Sequence, residues 1–250
     1  GKSTLVDGLI RAYRDQGMRV AVLAIDPTSP YSGGAILGDR IRMQQHFTDE
    51  GVFIRSIATR GHLGGLSRST GDVLHVLHAA DFDVVILETV GVGQDELEVT
   101  RLADSTLVVM APGLGDDIQA MKSGLLEIAD ILVVNKADRE GAEATMQQLK
   151  GALSIRPGAS AHVPLLKTTA LTGQGVDVLL AVIDDLAKPI LASTMLDRRR
   201  RRARYLIARA AADLVAERIR SGGDLIDQLS DTVLDGRSTP SEAAKTILES

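Results

Sequence analysis

Three short groups of residues have the types and spacing to handle a nucleotide. Gly1-Lys2-Ser3-Thr4 opens an amphipathic run, GKSTLVDGLIRAYRDQG. It matches the closing residues of the pattern G-x-x-x-x-G-K-[ST]. There a lysine ammonium meets the β- and γ-phosphates and a hydroxyl meets Mg²⁺, with helix N-terminal amides behind both. A plain helix start, with Ser and Thr near the cap, would read the same way. The second group is Asn135-Lys136-Ala137-Asp138. An aspartate after a parallel strand can accept from both N1–H and the 2-amino group of guanine, a pair of donors that adenine lacks. Asn and Lys beside it can bind the base edge and the loop. Alone the four residues could be a polar turn; their order after Gly-Lys-Ser favours base binding. Thr168-Thr169-Ala170-Leu171 lies where a second base-contacting loop belongs, although small polar residues after a strand are also ordinary loop chemistry.

The third group is ETVGVGQDE, Glu88–Glu96. A carboxylate at a strand end can hold Mg²⁺ through water, and Gly91 lets a backbone amide approach a γ-phosphate. Loss of that phosphate would release the loop, which is how a nucleotide switch works. A glycine-rich turn with Glu88 as a cap is the structural alternative. A buried charge is costly without a partner, which favours function. Asp26, opening DPTSPYSGG, and Asp39, in GGAILGDRIRM, are two further acids that suit one Mg²⁺–phosphate site. An N-cap would also account for Asp39. PGLGDDIQAMK carries Asp116, Gln119 and Lys122 and is either a mobile element beside the nucleotide or a helix entry. Gln94 is a candidate to orient the attacking water, with nothing in the sequence fixing its direction.

These residues need elements to hold them. RVAVLAI (Arg19–Ile25), DVVILE (Asp83–Glu88), STLVVM (Ser105–Met110) and ILVVN (Ile131–Asn135) are β-branched, nearly continuous apolar runs, as expected of parallel strands covered on both faces. VPLLKTTAL, Val163–Leu171, is a fifth and shorter one. Helical stretches such as STLVDGLIRAYRDQG, stopped by Gly17, and RSTGDVLHVLHAA lie between them. The alternation predicts a doubly wound α/β sheet, whose ligands sit at the carboxyl ends of the strands. Asp26, Glu88, Pro112-Gly113 and Asn135–Asp138 all fall just after strands. From about residue 190 the pattern is helical, broken at Gly222-Gly223, and predicts an arm. This divides the chain into residues 1–190 and 191–250.

Composition narrows the function classes. The 250 residues are 44% apolar but only 2% aromatic, so the core is aliphatic. With no cysteine there is no disulfide and no thiolate metal site, which fits a reducing cytoplasm. No run is long and apolar enough to span a membrane, and no signal peptide shows. A net charge of −5 argues against nucleic acid as the main partner. DRRRRRAR, Asp197–Arg204, is the local exception, and a solvated arginine face is the simple reading.

DPTSPYSGGAILGDRIRM, RGHLGGLSRST, ETVGVGQDE, PGLGDDIQAMK and NKAD together resemble the MeaB/ArgK-type GTPases. This is the methylmalonyl-CoA mutase-associated chaperone family, once described as a lysine/arginine/ornithine transport kinase. The resemblance is specific from Gly1 to about residue 190 and looser through the arm. It implies a P-loop NTPase fold and a Mg²⁺-dependent GTPase that guards or loads an adenosylcobalamin-dependent acyl-CoA mutase. By motif match, Gly1–Thr4, Gly91, Asn135, Lys136, Asp138, Thr169, Ala170 and Leu171 would bind GTP or GDP. Ser3, Asp26, Asp39 and Glu88 would serve the metal, and Lys2, Asp39, Glu88 and Gln94 the chemistry. Residues 30–42 and 91–98 would be two switches. A third, 113–122, with Asp116, Gln119 and Lys122, would face the mutase, and the arm would make a homodimer.

The resemblance also implies a strand and further loop glycines upstream of Gly1. A chain without them is expected to bind GTP poorly or not at all and to be inactive as an enzyme. Two other classes stay open. A nickel-type metallochaperone GTPase would need thiolate or clustered imidazole ligands, whereas His46, His62, His75, His78 and His162 are scattered. A non-catalytic dimerisation module would use the arm alone.

Overall fold

The computed structural model describes residues 1–26, 43–58, 68–89, 99–113, 125–155, 163–188 and 192–249. Asp39, Gly91, Gln94, Asp116, Gln119 and Lys122 lie outside the described residues, as do residues 30–42, 91–98 and 114–122. The chain forms two units, Gly1–Arg199 and Arg200–Ser250.

The first unit is built on parallel strands. β1 (Val20–Asp26), β2 (Val52–Ala58) and β3 (Val84–Thr89) form one sheet in the order β2-β1-β3. β4 (Leu107–Met110), β5 (Ile131–Asn135) and β6 (Leu165–Thr168) form a second, in the order β4-β5-β6. Every pair is parallel, with Val20 opposite both Val52 and Val84, and Leu132 opposite Leu165. Instead of one continuous sheet there are two blocks, and among the described residues no strand joins β3 to β4.

Helix α1 (Lys2–Asp15) unites them. Its buried residues Leu5, Val6, Leu9, Ile10 and Tyr13 recur at helical spacing on one face. They share a core with Val20 and Val22 of β1, Ile131 and Val133 of β5, and Leu179 of helix α5 (Val176–Ala187). The opposite face of the first sheet presents Ala21 and Leu23 to Leu77 of α2 (Arg68–Ala79). The opposite face of the second presents Val134 to Met146 and Leu149 of α4 (Ala142–Ile155), just beyond the short α3 (Leu125–Ile128). Helices therefore cover both faces, and the period of two along each strand decides which side chain meets which layer.

Four expected strands sit within two residues of their places. β2 is new to the structure. Its sequence, VFIRSIA, lacks the continuous apolar run because one of its faces is open: Val52 and Ile54 pack inward while Phe53 and Arg55 are exposed. Gly17 does close α1, at φ 78°.

Polar contacts fix the flanks of α1. Arg14 grips Asp49 with two hydrogen bonds of 2.9 Å, which, with the Gly51 amide, hold the Asp49 carboxyl below the usual carboxylate range. Asp7 takes Arg11 at 2.6 Å and His46 at 2.7 Å. His46 ends a single 3₁₀ turn, Gln44–His46, which follows the fully buried Met43.

The second unit consists of most of α6 (Ala192–Ser221), then α7 (Asp224–Leu234) and α8 (Pro240–Glu249). Gly222 and Gly223 separate α6 from α7 at positive φ. Thr239 and Glu242 cap α8 reciprocally, and that amide and hydroxyl hold the Glu242 carboxyl low. In the arginine run, Arg200 is exposed.

Burial, helped by the Asp184 carboxylate, pushes the Tyr13 phenol up to about 12. A raised phenol stabilises the fold while protonated. That contribution is complete below the ordinary tyrosine value near 10 and is lost as the pH rises through 12. An ultraviolet tyrosinate titration should show one of the three tyrosines ionising well after the others, and Tyr13→Phe should abolish that late step.

Candidate functional site

Strand parity sets up the site. Val84 and Ile86 of β3 face the core under α1, so Glu88, two residues on, lies on the same face at the carboxyl end. By the same count Asn135 follows Ile131 and Val133, and Thr168 follows Leu166. All three are buried polar groups on the face that α1 covers. Asp26 closes β1, two residues beyond Ala24, the register partner of Glu88.

Asn135 is the junction. It is 2% exposed, and its amide nitrogen donates to the Gly1 carbonyl at 3.1 Å. Its Oδ1 accepts from the Lys136 amide at 2.8 Å, the Ala170 amide at 3.0 Å and the Thr168 hydroxyl at 3.2 Å. One side chain thus ties the start of α1, its own loop and the loop after β6. The Ala137 amide adds a bond to the Thr168 carbonyl at 3.0 Å. Lys136 has φ 57°, a left-handed conformation that a lysine adopts only when its surroundings demand it.

Two glycines make the close approaches possible. A Cβ on Gly1 would sit 2.6 Å from the Asn135 amide nitrogen, so any side chain there would break the junction. Gly175, at φ 78°, begins α5, and a Cβ on it would lie 2.4 Å from the Lys167 carbonyl oxygen. It shapes the loop after β6, whose Thr169 amide bonds to the Gln174 carbonyl at 2.9 Å.

Together these elements enclose a cavity of about 180 Å³ lined by Gly1, Thr4, Asn135, Lys136, Asp138, Arg139, Thr169, Ala170 and Leu171. Its floor holds the buried Asn135 and Thr169, and Asp138 and Leu171 are exposed. Every base-binding residue expected from the loops after β5 and β6 lines it, together with Gly1 and Thr4. Arg139 is a residue that motif reading missed, because only the loop's closure brings it to the cavity.

The phosphate end is less fully described. Lys2 and Ser3 occupy the first turn of α1, which contains no acidic residue and where no side chain among the described residues caps the helix. That leaves an anion-friendly helix end. Ser3 and Glu88 are 7% and 4% exposed. A hydroxyl and a carboxylate are hard oxygen donors, suited to Mg²⁺ rather than to a softer ion. Among the described residues no group of three or more His, Asp or Glu could hold a metal alone.

Asn135→Ala should cost on the order of 3 kcal/mol in chemical denaturation, because several part-buried groups lose their partner at once. Amide hydrogen exchange should quicken at Lys136 and Ala170 in the same variant. Unchanged exchange at Ala170 would mean that the junction does not hold the two loops together.

The chain matches a family model described as methylmalonyl Co-A mutase-associated GTPase MeaB over residues 1–224. A Pyrococcus horikoshii relative whose name assigns it to the GTPases is 46% identical over 254 residues, covering all of this chain and 80% of its own. Escherichia coli GTPase ArgK is 39% identical over 198 residues, 77% of this chain and 60% of its own. The crystal structure of an LAO/AO transport system kinase aligns with a TM-score of 0.68 at 26% identity, over all of this chain and 77% of that one. Helicobacter pylori HypB, solved with nickel, shares the fold alone, at 18% identity and a TM-score of 0.52. The P-loop NTPase class expected from the sequence therefore holds. A cavity built from the loops after β5 and β6, the helix start beside it and a match over residues 1–224 agree: the chain belongs to the MeaB family of methylmalonyl-CoA mutase-associated GTPases.

Proposed function

We propose that this protein binds a guanine nucleotide in the cavity between Asn135–Arg139 and Thr169–Leu171 and hydrolyses GTP to GDP and phosphate. The observation that carries the reading is the junction at Asn135, which sets Asp138 and the Thr169–Leu171 loop around one cavity beside the start of α1. The Asp138 carboxylate accepts from N1–H and the 2-amino group of guanine. Adenine presents no such donors and would leave that carboxylate unsatisfied.

Lys2 and the first-turn amides of α1 hold the phosphates, and Ser3, Asp26, Asp39 and Glu88 serve Mg²⁺. When bound, that ion neutralises charge developing on the β- and γ-phosphates. Gln94 orients the attacking water. Gly91 brings its amide to the γ-phosphate and so senses whether GTP or GDP is bound.

The family description, and a mouse relative named methylmalonic aciduria type A homolog, mitochondrial, support a partner among the adenosylcobalamin-dependent acyl-CoA mutases. That relative is 30% identical over 258 residues, all of this chain and 62% of its own. In this reading the protein acts as a chaperone in the cytoplasm, gating cofactor loading, and Asp116, Gln119 and Lys122 face the mutase. Residues 1–190 do the nucleotide chemistry, and residues 191–250 dimerise. Ile207 and Leu214, seven residues apart on α6 and both exposed, give the arm an apolar stripe for a second copy.

Isothermal titration with Mg²⁺ present should show GDP binding at least about tenfold more tightly than ADP. Asp138→Asn should move the preference to xanthosine diphosphate, whose 2-oxo group accepts where guanine donates. Equal binding of GDP and ADP, or no change of preference in the variant, would remove the base-reading role from Asp138.

A further inference from the structure

The cavity holds a cation that base-edge reading does not use. Arg139 lines it, directly after Asp138, and is not one of the residues through which the Asn-Lys-Ala-Asp pattern reads guanine. Its backbone is pinned on both sides. The Arg139 amide donates to the Lys136 carbonyl at 3.0 Å, and the Arg139 carbonyl accepts from the Ala142 amide at 3.3 Å. The position of the side chain's root is therefore fixed by the same turn that presents Asp138.

Among the described residues no hydrogen bond of the guanidinium competes with a role in the cavity. Arg139 is exposed and makes no ion pair with a described residue, while Glu143, one turn further along, is engaged by Lys167. Lys2 and Ser3, which the reading above gives to the phosphates, are not among the residues of this cavity. At the floor lie Asn135 and Thr169, both nearly inaccessible. Arg139 is one of the exposed cavity residues, with Gly1, Thr4, Asp138 and Leu171, the last 87% exposed. A flat, weakly hydrated cation and an exposed aliphatic side chain offer what the face of a heteroaromatic ring binds.

We infer that Arg139 is a base-binding residue whose guanidinium stacks on the face of the purine. This rests on the guanine-site reading and adds to it. Asp138 chooses the base through its edge, and Arg139 strengthens the hold on the ring whatever its 2-substituent.

The test is competition titration of the full chain with GDP and with inosine diphosphate, which lacks the 2-amino group. Arg139→Ala should weaken both by the same factor, about two- to fivefold, and leave their ratio unchanged. Arg139→Lys, which keeps the charge but loses the plane, should recover no more than part of the loss. Arg139 is exposed, so both variants should keep the wild-type thermal midpoint. Unchanged GDP affinity in Arg139→Ala overturns the inference, as does an Arg139→Lys variant equal to wild type, which would make plain charge attraction sufficient. Asp138→Ala, run alongside, separates the two claims. If it loses the GDP preference while Arg139→Ala changes nothing, the guanine site stands and the stacking role falls. If Asp138→Ala binds GDP as tightly as the wild-type chain, the guanine-site reading falls and the stacking role with it.

Discussion

The amide of Asn135 is the constraint on which the site depends. Three stretches far apart in sequence, at residues 1, 135–136 and 168–170, are tied together by one buried side chain that bonds to all of them. An amide suits this place because it is donor and acceptor at once. A carboxylate would present negative charge to the Gly1 carbonyl, and an alkyl group would leave part-buried polar atoms without partners. Such a network is worth more than a sum of separate bonds, since each bond holds the geometry for the next. The left-handed Lys136 fits the same account: its strain is sustained by contacts on either side.

Beneath the junction lies the pleat of the sheet. Alternate residues of β3, β5 and β6 point toward α1, and in each strand the apolar series ends in a polar residue at the carboxyl end: Glu88, Asn135, Thr168. The same layer thus serves as core along most of its length and as site at its end. Helix α1 contributes to both, burying Leu5 to Tyr13 in the core while its first turn carries Lys2 and Ser3. The core and the Asn135 junction are linked through that helix. Tyr13 at one end packs toward Asp184, and Gly1 at the other bonds to Asn135.

Much of this was legible in the sequence, for identifiable reasons. Continuous β-branched runs such as ILVVN are demanded by strands covered on both faces, so β1, β3, β4, β5 and β6 announce themselves. The edge strand β2 does not, because its outward residues Phe53 and Arg55 break the run. Asp138 and the Thr169–Leu171 loop could be named because their chemistry is local: short polar loops right after strands. Gly175 and Arg139 could not. The need for glycine at 175 comes from a carbonyl eight residues earlier in the chain, and Arg139 gains its place from a turn closing over a cavity.

The sequence by itself determined the fold class, the strand ends at which ligands sit and the kinds of group that gather there. These follow from side-chain periodicity and from backbone preferences, which act over a few residues. Only the tertiary structure decided that the strands form two parallel blocks sharing the core under α1, and that Asn135 rather than Asp138 is the residue binding the loops together. Those outcomes depend on which distant segments come within hydrogen-bonding reach, at 2.8 to 3.2 Å around one buried amide. No local pattern encodes such distances; packing sets them.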